Sequence, residues 1–261
     1  MDKFIKFIVF AAALLFAARG GHASGAVNVV LGDWHTCALK QTGRVACWGS
    51  TVKGQLGPVR ARGYAWADTP LEMESVHDVV ALAAKANDTC VVFHDGGAMC
   101  FGENSENPRR RLDGIQDAVD VTIGRGHACV LRSTGRVACW GDNNYGQLGL
   151  GNNTPMSIPT AVLGLADVVA VKAGDFHTCA RILNGSVYCW GLNSSGQLGT
   201  GNTTNENFPH LVPGVVAASL SLGSGHTCVG GYTLPGQVRC WGNNSYGQFG
   251  HNSTNSSLLA T

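Results

Sequence analysis

Charge is scarce in this chain. Only 13% of its 261 residues are Asp, Glu, Lys or Arg, and the net charge is +1. That balance supplies neither a basic face for a phosphate backbone nor an acidic tail, so nucleic acid is not an expected partner. Long apolar runs are also missing. Phe7 to Ala18 is only twelve residues long, too short to cross ~30 Å of hydrocarbon at 1.5 Å per residue, and no later segment does better. There is no nucleophile elbow, phosphate loop, paired-carboxylate motif or H-E-x-x-H. No enzymatic activity, catalytic residue, cofactor or metal site is therefore expected. After residue 24 no segment keeps a helical period through three turns, which points away from helices altogether.

What the chain does have begins with its leader. Lys3 and Lys6 precede the short apolar stretch, and Gly21-His22-Ala23 forms a small-x-small site. Together they predict a secretory signal peptide over residues 1–23, the mature chain then being secreted, extracellular or periplasmic and free of the membrane. Export decides how the ten cysteines are read, because paired thiols outside the cytosol are normally disulfides.

The cysteines fall into five pairs: Cys37/Cys47, Cys90/Cys100, Cys129/Cys139, Cys179/Cys189 and Cys228/Cys240. Four pairs are ten residues apart; the last is twelve apart, its turn lengthened by GGYTLPGQ. In CALKQTGRVAC the residues Cys37, Leu39, Val45 and Cys47 alternate with Ala38, Lys40, Arg44 and Ala46. Period two on both sides of a Thr-Gly turn means two strands of a hairpin, with the cysteines opposed across it. Opposed strand residues have Cα atoms about 4.5–5.5 Å apart, within reach of a disulfide. The alternative, buried free thiols, stands beside it. A zinc knuckle does not fit, since its cysteines have only two or four residues between them.

First-cysteine separations of 53, 39, 50 and 49 mark a repeat. After four of the five second cysteines comes a glycine-rich loop: WGSTVKGQLG, WGDNNYGQLGLG, WGLNSSGQLGTG and WGNNSYGQFG. An apolar run then leads into the next hairpin, as in DVVALAA, DAVDVTI and DVVAVKA. Four short strands per unit of about 50 residues predict an all-β fold, a β-propeller. The units run over about 27–80, 81–119, 120–169, 170–218 and 219–261.

The pattern G-x-x-H-T-C-A-L…G-x-V-x-C-W-G-x-N-x-x-G-Q-L-G resembles the regulator of chromosome condensation repeat, in the cysteine-paired form of exported members. The resemblance covers essentially everything after the leader. It implies seven blades in complete members, whereas five are found here, the last incomplete. The second unit departs from the pattern: KANDTC replaces GDWHTC, FGEN replaces WGxN, and GQLG is missing. Family activities implied by the resemblance are nucleotide exchange on the Ran GTPase, chromatin binding and, in one secreted case, β-lactamase inhibition. The leader and the near-neutral charge oppose the first two.

His35, His127, His177 and His226 recur at one place in their units, with Asp88 in the second. Equivalent positions in neighbouring blades ring an axis rather than converge, so these are expected to be packed or backbone-bonded histidines. Trp48, Trp140, Trp190 and Trp241, with Phe101 in the second unit, are expected between blades. Residues repeated in every blade are scaffold; specificity belongs to what differs. The candidates for binding an unidentified protein partner are Arg60, Arg62, Tyr64 and Trp66 in one irregular loop and Arg109, Arg110 and Arg111 in another, an Arg/aromatic mixture enriched at interface hot spots. A monomer is expected. Eight N-x-S/T sites, at Asn87, Asn152, Asn184, Asn193, Asn202, Asn243, Asn252 and Asn255, stand where chance gives about two. They are glycan acceptors in a eukaryotic secretory pathway, or else a by-product of a duplicated Asn-rich loop.

Overall fold

The computed structural model describes residues 25–59, 65–103, 111–231 and 236–261. Its seventeen strands are all antiparallel and form five successive blades. The first blade holds β1 (Ala26–Leu31), β2 (His35–Lys40), β3 (Val45–Ser50) and β4 (Trp66–Glu72) in that order. The second has three strands among the described residues, β5 (Val79–Lys85), β6 (Asp88–Phe93) and β7 (Ala98–Gly102). The third repeats the full pattern with β8 (Ala118–Ile123), β9 (His127–Arg132), β10 (Val137–Gly141) and β11 (Met156–Ala161). The fourth holds β12 (Val168–Ala173), β13 (His177–Ile182), β14 (Ser186–Gly191) and the first part of β15 (Glu206–Leu222). The second part of β15 opens the fifth blade, followed by β16 (His226–Gly231) and β17 (Val238–Gly242).

The predicted hairpins are present in register. Cys37 faces Cys47, Cys90 faces Cys100, Cys129 faces Cys139, Cys179 faces Cys189 and Cys228 faces Cys240. Each pair is a disulfide, with Cα atoms 4.1–4.2 Å apart. That spacing belongs to the close, non-hydrogen-bonded pairs of an antiparallel ladder, which bring side chains nearest together.

The inner strands β1, β5, β8, β12 and the second part of β15 are successive neighbours around the axis. Between each two blades lies one apolar layer. Cys37, Val45, Leu56, Met73, Val91 and Phe101 fill the first, and Cys179, Val187, Leu198, Val229 and Trp241 fill the fourth. A blade is too thin to bury its own apolar faces, so each is stabilised only by its neighbours. Among the described residues the sheets do not close into a ring.

Two features depart from a uniform four-strand unit. The connection VPGVV between the fourth and fifth blades does not break the ladder, so β15 serves both as an outer and as an inner strand. In the second blade the position beside β7 is taken by Leu112, whose N–H donates to Ala98 O at 2.8 Å.

Candidate functional site

The repeated histidines are parts of a joint between blades. Nε2 of His177 lies 3.0 Å from Oγ1 of Thr227 in the next blade, and that hydroxyl donates back to Gln197 O at 3.0 Å. The indole N–H of Trp241 donates to the same carbonyl, also at 3.0 Å. The third and fourth blades are joined identically through His127, Thr178, Gln147 O and Trp190. His35, Thr89 and Gln55 O join the first two, where Phe101 replaces the tryptophan and has no N–H to give.

Proton direction follows from counting hydrogens. The threonine's single hydroxyl proton goes to the glutamine carbonyl, so its oxygen must accept from the imidazole. Each joint histidine therefore carries a hydrogen on Nε2, and its lowered pKa makes it the neutral tautomer. Burial pushes the imidazole pKa down to about 4 in His35 and His127 and about 3 in His177. The nearby Asp175 carboxylate offsets this only partly for His127 and His177. His226 is half-buried and lowered for the same reason.

The glycine three residues before each histidine exists for this ring. A Cβ on Gly174 would sit 2.2 Å from His177 Cε1, and one on Gly32 or Gly124 would strike His35 or His127 as closely. The Asn and Gln of the glycine-rich loop hold the carbonyl in place. Asn193 Oδ1 accepts from Leu198 N, and Gln197 Oε1 from Ser195 N. Among the described residues no three metal-binding side chains come together.

The candidate binding residues are distributed unequally. Arg60, Arg62, Tyr64, Arg109 and Arg110 lie outside the described residues. Arg111 is engaged, donating to Asp95 at 2.6 Å and lying 4.3 Å over the Phe93 ring. Its guanidinium holds the Asp95 carboxyl below the usual range. Trp66 is 63% exposed and opposite Ser50, whose N–H bonds to Trp34 O. Trp34 is 72% exposed. The ladder places Trp34, Ser50 and Trp66 in one row, hence on one side of the sheet.

That side is the outward face of the first blade. The equivalent of Trp34 in the fourth blade, Phe176, contacts Tyr145 of the blade before it, ring centroids 5.5 Å apart. In the first blade no preceding blade covers it among the described residues. Val29 and Leu31 are exposed on the same face, and Trp48 is only half-buried, whereas Trp190 and Trp241 are fully buried. Sequence reasoning missed Trp34. The available signal was variability, since the residue before the histidine is Trp34, Asn87, Gly126, Phe176 and Gly225 in turn.

Of the N-x-S/T asparagines, Asn152, Asn184, Asn202, Asn252 and Asn255 are exposed, and Asn87 and Asn243 half-exposed. Asn87 Nδ2 donates to Glu103. Asn193 is fully buried, its amide bonded to Thr200 and Asn202. In the folded loop that amide is thus already engaged.

Two profiles of one repeat match the chain. Both are described as the regulator of chromosome condensation (RCC1) repeat, one over residues 134–181 and 184–229, the other over 26–55, 118–147 and 168–197. Together they cover more than half the sequence and leave out the second unit. Human WBSCR16 is similar in structure, with a TM-score of 0.77 at 23% identity over 89% of this chain and 65% of that one. Prp20p of Saccharomyces cerevisiae, a protein with binding properties to Gsp1p and histones, gives 0.71 at 22% over 89% and 64%. The ectodomain of the Physcomitrella patens receptor kinase CR4 gives 0.51 at 21% over 82% and 49%. This chain thus spans somewhat less than two thirds of the solved chains it matches. With its repeat profiles, its open array of four-stranded blades and its histidine joints taken together, the chain belongs to the regulator of chromosome condensation (RCC1) repeat family.

Proposed function

We propose that this protein is an exported, disulfide-stapled β-propeller scaffold that binds another protein through the variable surface of its first blade. One observation carries the reading. Trp34 and Trp66, two large aromatics at positions that vary from blade to blade, stand 72% and 63% exposed in one row. Indole rings held on a sheet lose little conformational freedom on docking and supply much of the contact area at hot spots. Arg60, Arg62 and Tyr64, which precede Trp66 in sequence, and Arg109 to Arg111 of the next unit are the further candidates for partner contact.

Five disulfides support an oxidising destination. No helix among the described residues is long and apolar enough to cross a membrane. The likeness to Prp20p raises a rival, regulation of a small GTPase, and a third reading is inhibition of an extracellular enzyme. A secretome pull-down with the intact chain tests the scaffold reading. Capture of a partner that is lost with Trp66→Ala or Trp34→Ala, while the fold is retained, supports it. Equal capture by the variants refutes the assigned surface, and accelerated GDP release from a GTPase would favour the rival.

A further inference from the structure

At the end away from the histidine joints, beside the hairpin turns, each junction is closed by three side chains at fixed places. One blade gives the residue two after its first cysteine; the next gives the residue three after its first cysteine and the one before its second. At the first–second junction these are Leu39, Phe93 and Met99, and at the third–fourth Leu131, Ile182 and Tyr188, each set packed in one apolar layer. At the second–third they are Val92, Arg132 and Ala138, and the arginine donates to Asp117 at 2.7 Å. At the fourth–fifth they are Arg181, Gly231 and Arg239. Two cations and a glycine thus stand where other blades meet on apolar side chains.

Both arginines are borne on the walls of that layer. Arg181 is opposite Val187 and Arg239 opposite Val229, and these valines are buried between the fourth and fifth blades; paired strand residues share a side of the sheet. Arg181 is half-buried, and its Nε is buried without a hydrogen-bond partner. Arg239, also half-buried, donates to Gly214 O at 3.0 Å and Ala260 O at 2.7 Å, which leaves further N–H groups uncommitted. Among the described residues neither meets a carboxylate, whereas Arg44, Arg111, Arg125 and Arg132 each do at 2.6–3.1 Å. Residues 207–261 contain no Asp or Glu, so the turn 232–235, which lies outside the described residues, holds no side-chain carboxylate for them.

A half-buried guanidinium without a counter-charge is unfavourable in an apolar layer, and the room for an external one is present. Where Phe93 and Ile182 fill the other junctions, Gly231 borders a cavity of about 110 Å³ whose wall includes Val229, Gln237 and Arg239. That volume suits a group of phosphate or sulfate size, well below the ~300–1,000 Å³ of pockets for larger molecules. Arginine offers several N–H donors in a plane suited to oxyanions, and valine walls strengthen the attraction by excluding water.

We propose that this recess is a binding site for a tetrahedral oxyanion, phosphate or sulfate, held by Arg181 of the fourth blade and Arg239 of the fifth. The bound anion ties the two blades together and so favours the folded state. The site is distinct from Trp34 and Trp66 of the first blade, and its test is independent of the partner surface assigned there.

Inorganic phosphate and sulfate are titrated into the intact disulfide-bonded chain, with chloride adjusted to hold the ionic strength constant. Arginine Nε–H resonances and thermal unfolding are followed. The Arg181 resonance should shift and saturate with a Kd on the order of 1 mM, and 10 mM phosphate should then raise the folded-to-unfolded ratio about tenfold over chloride. Arg181→Leu restores the leucine of the first and third blades, and Arg239→Met the side chain of Met99; each should fold and bind at least about tenfold more weakly. Phenyl phosphate that binds at least as tightly as the free ion assigns the site to a terminal phosphate of a larger molecule, and weaker binding assigns it to the ion itself. No saturation below about 50 mM, an equal effect of chloride, a preference for acetate, or an Arg181→Leu variant with unchanged affinity would overturn the proposal.

Discussion

Mild acid should unfold this protein through its histidine joints. His35, His127 and His177 are neutral in the fold with pKa values of about 4, 4 and 3, against 6.5 in an unfolded chain. As pH falls below about 6.5, the unfolded chain takes up protons that the folded joints refuse. The stabilisation is thus complete above pH 6.5 and is lost as pH drops towards the folded values. Between pH 7 and 5 each site loses almost 2 kcal/mol, on the order of 5–6 kcal/mol for the three. That rivals the whole stability of an ordinary domain. Glu72, Asp95 and Glu103 have lowered pKa values and so act mainly at more acidic pH. Guanidinium unfolding followed by circular dichroism at both pH values, disulfides intact, measures the difference. A total change below about 1 kcal/mol would refute the assignment of three buried neutral imidazoles.

Other perturbations report on the same architecture. Thr178→Val strands the His127 N–H and should cost about 1–3 kcal/mol, most of it recovered in Thr178→Ser, which keeps the hydroxyl; thermal unfolding of the two variants decides. Gly174→Ala drives a methyl into His177 and towards Gly223 O, 2.7 Å away. It should destabilise by more than about 2 kcal/mol, whereas an alanine at Gly151, with nothing around it, meets only the backbone penalty of its φ of +75°. Replacing Cys179 and Cys189 by serine opens a ten-residue loop and should cost about 2.5–3 kcal/mol on chain entropy alone. A loss under about 1 kcal/mol would show that the ladder holds the hairpin without the bridge.

The blade was legible because its signals are local. Alternation about Thr42-Gly43, fixed cysteine spacing and the glycine-rich loop each act within a few residues, so sequence alone gives the hairpin and its bridge. The joints were not legible, because they act between units. His177 meets Thr227 fifty residues away, and no period within either segment reveals it. The clue was covariation inside the chain: Ala128 replaces the threonine directly after the unit in which Asp88 replaces the histidine. The continuous strand β15 was not foreseen, because ladder pairing to β14 on one side and β16 on the other carries it through Pro213-Gly214. Trp66, placed by its sequence in an irregular loop, opens strand β4, and Trp34 was hidden by sitting beside a scaffold histidine.

The account rests most directly on five bridges closed within five hairpins, and peptide mapping of the exported protein under non-reducing conditions examines them without intermediaries. The expected result is Cys37–Cys47, Cys90–Cys100, Cys129–Cys139, Cys179–Cys189 and Cys228–Cys240, with no free thiol. Free thiols in the exported chain, or a bridge linking cysteines of two different blades, would contradict it.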